Sequence, residues 1–170
     1  MGIRIVVDST SDLTDEIIEK YNIKMVPLTV NFENESFLDK VELSTKEFFD
    51  KLEAAEKLPT TTLVSPGTFV EVFSEILLEG DQVLGMFIAS ELSGTYDSAR
   101  MAKNMIGSED IHLIDTKSVC LGSFALVLEA IRLVEEKKPI EEIVNELEAL
   151  KEKTVVVAAL DTLKYLEKGG

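Results

Sequence analysis

QVLGMFIAS, residues 82–90, is apolar almost without interruption, and it shows none of the in–out alternation of a strand with one face in water. Such a run suits a strand covered on both faces, as in a parallel sheet sandwiched between helices. Similar β-branched runs recur outward along the chain at IRIVVD (3–8), KMVPLTVNF (24–32), DIHLID (110–115) and TVVVAAL (154–160). Between them, segments near 14–21, 45–55, 67–79, 94–106, 119–137 and 140–152 repeat their apolar residues with helical period. Strand and helix therefore alternate, which predicts an α/β fold with a doubly wound, mainly parallel sheet flanked by helices.

Two helix starts are written explicitly. Ser65-Pro66 puts a capping hydroxyl before a proline at the first helical position, and Lys138-Pro139 restarts a helix after a break. The stretch from Asn31 to Asp39 mixes turn formers with single aromatics and reads as a hairpin or loop at a sheet edge.

Composition narrows the function classes. The chain has 170 residues, 45% of them hydrophobic, enough for one core and the beginning of a second unit. A net charge of −15 repels nucleic acid phosphates and anionic membranes, so neither is an expected partner. No run reaches the roughly 18 to 20 apolar residues of a membrane span, and residues 1–9 read as a strand start rather than a signal peptide. The expected location is cytoplasmic, without stable membrane insertion. Cys120 is the single cysteine, which excludes an internal disulfide and a CxxC metal site. Within VCLGSF it reads as a small buried residue.

Ligands of open α/β sheets sit in the loops after the carboxyl ends of strands. Three hydroxyl-rich loops are candidates: DSTSD (8–12), PTTTLVSPG (59–67) and SELSGTYDSA (90–99). In the third, Ser93-Gly94-Thr95 opens a helix, where unpaired N–H groups and the helix dipole favour a carboxylate or phosphate. Alternatively, Ser93 caps the helix and nothing more. Asp8 could bind a metal or orient a water, or it could serve a turn and a cap. Thr60, Thr61 and Thr62 could meet a ligand or simply suit extended backbone. His112 is the lone histidine and lies in a predicted strand, so it reads as a core or edge residue rather than a base for a nucleophile. Neither a Walker loop nor GxGxxG occurs.

At these loops the sequence resembles the DegV family, whose members include the fatty-acid-binding subunits of bacterial fatty acid kinase. The resemblance rests on IVVDSTSDL (5–13), YNIKMVPLTV (21–30), PTTTLVSPGTF (59–69), LSGTYDSARMA (92–102), IDTKSVCLGSFALVLEA (114–130) and DTLKYLEKGG (161–170). It implies an N-terminal α/β domain over residues 1–160 and the start of a second domain at 161–170, most of which lies beyond this chain. It also implies an apolar tunnel for a long-chain fatty acid and a polar cluster for the carboxylate. Thr61 and Thr62 fall on the family's Thr-Ser positions, and Ser93, Gly94 and Thr95 on its Ser-Gly-Thr step. Leu63 and Val64 stand where the family usually has Gln-Pro.

The implied function is a non-catalytic carrier that needs no cofactor or metal and holds a fatty acid as its ligand. It would present that ligand to a separate ATP-dependent kinase subunit for conversion to acyl phosphate. Two alternatives remain open on the residues: an interaction module without ligand, and acyl or phosphoryl transfer with Ser93 as nucleophile.

Overall fold

The computed structural model describes residues 2–160 together with Thr162, Leu163, Tyr165 and Glu167. Four strands form the main sheet: β1 (Ile3–Asp8), β2 (Lys24–Val26), β6 (Gln82–Phe87) and β7 (Ile111–Asp115). All are parallel, in the order β2-β1-β6-β7. A second, antiparallel sheet has the order β4-β3-β5, from β3 (Thr29–Phe32), β4 (Glu35–Leu38) and β5 (Thr60–Thr62).

The continuous apolar runs are explained by cover on both faces. Odd and even residues of β1 and β6 point to opposite sides of the sheet. Ile5, Val7, Leu84 and Met86 face α5 (Leu121–Glu135) and α6 (Ile140–Lys151), with α1 (Asp15–Lys20) packed against the same layer. Val6, Val83 and Phe87 face α3 (Pro66–Leu78) and α4 (Thr95–Ile106). Gly85 is required by close approach: a Cβ there would stand 2.7 Å from the Phe87 ring and 2.8 Å from Leu113 Cδ2.

Helix starts follow the sequence signals. The Ser65 hydroxyl accepts from Thr68 N–H with Pro66 in the first turn, and α3 then buries Phe69, Phe73 and Ile76 at helical spacing. In α2 (Thr45–Ala54), Ser44 and Glu47 form a reciprocal capping box. Pro139 stands at the start of α6, as Lys138-Pro139 implied.

Three expectations need correction. The run 24–32 is two strands, because Pro27 has no N–H for the ladder and the chain passes from one sheet to the other there. The run 154–160 is not a strand: its backbone joins neither sheet, and Val155 and Val157 are 81% and 89% exposed. An apolar β-branched run becomes a strand only beside a partner with free ladder positions. Cys120 is exposed rather than buried. It occupies the cap position of α5 with φ 52°, so VCLGSF straddles a loop and a helix start and its apolar residues share no common face.

Most of 161–170, the expected start of a second domain, lies outside the described residues.

Candidate functional site

Strand order reverses between β1 and β6, because the chain leaves β1 for β2 on one side and returns to β6 on the other. In open α/β sheets the ligand crevice lies outside the carboxyl ends of such strands. The loops that converge there carry Asp8-Ser9-Thr10, Ser90–Thr95 and Asp115–Ser118.

Asp8 clamps this end of the sheet. Its Oδ1 accepts from the Thr10 N–H at 2.9 Å and the Thr10 hydroxyl at 2.5 Å, and its Oδ2 accepts from the Ile88 N–H at 2.8 Å. The group is 1% exposed. Burial pushes its pKa above the usual carboxylate range, and these hydrogen bonds and the Lys40 charge oppose that shift. Ser9 accepts from the Leu28 N–H, and the Ser11 hydroxyl donates to the Asp8 carbonyl. DSTSD is thus a turn that fastens neighbouring strands, which favours the turn-and-cap reading over a metal ligand. Among the described residues no group of three or more His, Cys, Asp or Glu side chains converges as a metal site would require.

The loop bearing Ser93 is fixed by a second carboxylate that the sequence reading passed over. Asp115 accepts from the Ser90 N–H at 3.2 Å, the Ser90 hydroxyl at 2.6 Å and the Lys117 N–H at 3.1 Å. Thr116 donates to the Phe87 carbonyl and lies 3.0 Å from the Ser123 hydroxyl. A signal was present, since Asp115-Thr116 ends a strand just as Asp8-Ser9 does.

From this base, Ser93 N–H and Leu92 N–H donate to the Ala89 carbonyl, which turns the chain into α4. Gly94 is the cap residue of that helix. The Ser93 hydroxyl accepts from the Thr95 N–H at 3.3 Å and sits 3.0 Å from the Thr95 hydroxyl. Ser93 is half-buried, whereas Thr95 is fully buried, so Thr95 supports Ser93 from behind instead of facing a ligand. Ser93 therefore braces the helix start while the residue stays partly exposed.

Thr61 and Thr62 lie on β5, an exposed edge strand paired with β3 through Thr61↔Val30 and Thr62↔Thr29. Adjacent strand residues face opposite sides. The Thr62 hydroxyl accepts from the Asn31 amide at 2.9 Å, which commits it to that side. Thr61 faces the other side. The chain leaving β5 comes to rest on α4: Leu63 Cδ2 is 2.9 Å from the point where a Cβ on Gly94 would stand. The structure thus brings the PTTTLVSPG loop and the Ser93-Gly94-Thr95 step into contact, although they lie about thirty residues apart in sequence.

His112 is remote from this site. It pairs with Leu84 on the edge strand β7, three residues before Asp115, or about 10 Å at strand rise. It is half-buried, and burial together with Lys103 lowers its pKa. The Cys120 thiol is shifted up by desolvation and by Asp12, which suppresses the thiolate. Two open surface hollows, of about 520 Å³ beside Phe32 and Lys51 and about 510 Å³ beside Asp12 and Ser44, do not include residues 61–64 or 93–95. They are lined largely by charged and hydroxyl side chains, unlike an acyl site.

A two-faced parallel sheet with a helix start at its switch point defines an open α/β domain. The chain belongs to the DegV family, whose model, described as an uncharacterised protein of that family, matches residues 2–170. A DegV domain-containing protein of Clostridium perfringens is 38% identical over 168 residues, covering 99% of this chain and 60% of that one. The solved structure of a DegV family protein from Thermus thermophilus, described for its fatty acid binding, superposes with a TM-score of 0.88 at 34% identity, over 99% of this chain and 60% of that one. A stearic-acid-binding protein from Eubacterium ventriosum gives a TM-score of 0.79 at 28% identity, over 88% and 53%. The chain spans about 60% of the length of the curated relatives it matches. Among the described residues no helix is long and apolar enough to cross a membrane.

Proposed function

We propose that this chain supplies the head-group wall of a fatty-acid carrier. The carboxylate of a long-chain fatty acid is held by the Ser93 hydroxyl, the Thr61 hydroxyl and the N–H groups at the start of α4, with Thr95 bracing Ser93 and Thr62 fixing the strand. The observation that carries this reading is the seating of Leu63 on Gly94, which draws the end of β5 to the positive end of a twelve-residue helix. Charge-assisted hydrogen bonds of this kind are about twice as strong as neutral ones.

The carrier is non-catalytic and cytoplasmic. It presents its ligand to a separate ATP-dependent kinase subunit for conversion to acyl phosphate, contributing binding and orientation of the carboxylate. Residues 1–160 are one α/β domain and 161–170 open a second. The exposed Val155, Val157 and Leu160 offer apolar surface for that second domain or for the acyl chain. Transfer chemistry at Ser93 is disfavoured by the position of His112.

Titration of the full-length gene product with palmitate and with methyl palmitate tests the head-group assignment. Palmitate is expected to bind at least about tenfold more tightly, the worth of a charge-assisted contact that the ester cannot make. Equal affinities, or no binding of either, would refute it.

A further inference from the structure

Leu63 touches the start of α4 from a fixed backbone. On its N-terminal side Thr62 is held in register with Thr29, and on its C-terminal side Val64 is 4% exposed and packed in the cluster of Phe69 and Phe73. The side chain itself is 42% exposed, so rotation about its own bonds is its easy freedom. Its Cδ2 rests on Gly94, and apart from the chain neighbours Ser93 and Thr95 no other side chain among the described residues comes within 4 Å of the point where a Gly94 Cβ would stand. Gly94 has φ −71°, a conformation open to any residue, so it is the leucine contact that calls for glycine here. Beneath this step lies the Ser93–Thr95 hydroxyl pair, with Thr95 fully buried. The isobutyl group thus lies against the residue that caps α4, beside the first N–H groups of that helix.

We propose that Leu63 is a positioning residue that gates the head-group site: it rotates off Gly94 to admit a fatty-acid carboxylate and returns to exclude water from it. This rests on the carrier reading and deepens it. Exclusion of water strengthens the hydrogen bonds at the helix start, because the local dielectric falls. A gate also has a kinetic signature. A side chain that merely touches the ligand alters dissociation, whereas one that blocks the path alters entry and exit together.

The test is stopped-flow fluorescence of the full-length gene product with cis-parinaric acid as the probe. Leu63→Ala is expected to speed association and dissociation together by about tenfold, with the equilibrium affinity changing less than either rate, and Leu63→Phe to slow both. Gly94→Ala should disturb both rates by displacing the leucine, and Gly94→Ala combined with Leu63→Ala should return them toward those of Leu63→Ala alone. Rates unchanged in all variants, or a change confined to dissociation, would overturn the gate while wild-type binding leaves the carrier reading standing. Wild-type protein that binds no cis-parinaric acid would overturn both.

Discussion

The segments 82–87 and 154–160 are both largely apolar runs, and they have opposite fates. QVLGMF lies between β1 and β7 with its residues paired on both sides, and from Val83 to Phe87 it is buried throughout. TVVVAAL is as apolar and richer in β-branched residues, yet it joins neither sheet and leaves Val155, Val157 and Leu160 at 81%, 89% and 59% exposure. The run with more β-branched residues is the one that forms no strand, so β propensity cannot be the cause. What differs is the neighbourhood: β6 has ladder partners on two edges and helices on two faces, whereas among the described residues 154–160 has no ladder partner and meets α5 through Val156 against Gly122. A run of this composition states what a strand would need, and the surrounding chain decides whether it is supplied.

That contrast can be broken most forcefully at Phe87. Its ring is 1% exposed and packs edge-on against Phe69 at a centroid distance of 4.9 Å. Phe87→Ala is expected to cost about 3–5 kcal/mol in urea unfolding, the range for emptying a buried aromatic site. A cost under about 1 kcal/mol would mean that β6 is not the packed centre, since only surface changes are so mild.

Gly85→Ala tests the same strand from the other direction. The added methyl would press on the Phe87 ring and on Leu113, and a loss of about 1–3 kcal/mol is expected from overpacking.

At the end of that strand, Asp8 adds a pH dependence. Its pKa in the folded state is raised by burial, so the folded protein holds this proton more tightly than the unfolded chain does. Its contribution to stability is therefore greatest below the ordinary carboxylate pKa, falls as pH rises through the raised value, and is flat above it. Asp8→Asn lacks this fall and turns an amide N–H toward the Thr10 or Ile88 N–H, so it should be less stable than wild type, with the gap narrowing as pH rises. Urea unfolding at a series of pH values reads that gap, and a gap that widens with pH would contradict the account.

The smallest effect belongs to the other segment. Val157→Thr should stay within about 0.5 kcal/mol of wild type in the same unfolding assay, as surface substitutions do. A loss of 2 kcal/mol or more, of the size that buried positions give, would show that Val157 is packed rather than exposed.

The sequence was most legible where local chemistry and burial agree. The Ser65-Pro66 cap, the hairpin around Asn31–Asp39 and the β1, β6 and β7 cores could all be read, because capping, turn and both-faced burial leave periodic or paired marks. Pro27 also left a mark, but splitting 24–32 depends on which sheet each half joins. Cys120 was misread because composition does not reveal that a loop becomes a helix at that residue. The candidate site was legible as loops and not as a constellation. Ser93-Gly94-Thr95 announced a helix start, but nothing in the sequence told that Leu63 would rest on Gly94, that Asp115 would anchor Ser90, or that Thr95 would be covered completely. Such contacts join residues far apart in the chain and leave no local pattern.

The carrier claim is tested most directly by native mass spectrometry of the full-length gene product purified from cells, wild type beside the Ser93→Ala, Thr61→Val double variant. The account expects wild-type protein to carry one additional mass equal to a long-chain fatty acid, and the double variant, still folded by circular dichroism, to have lost most of it. Wild-type protein free of fatty acid, or a double variant that keeps the full complement, would contradict the assignment of the head-group site.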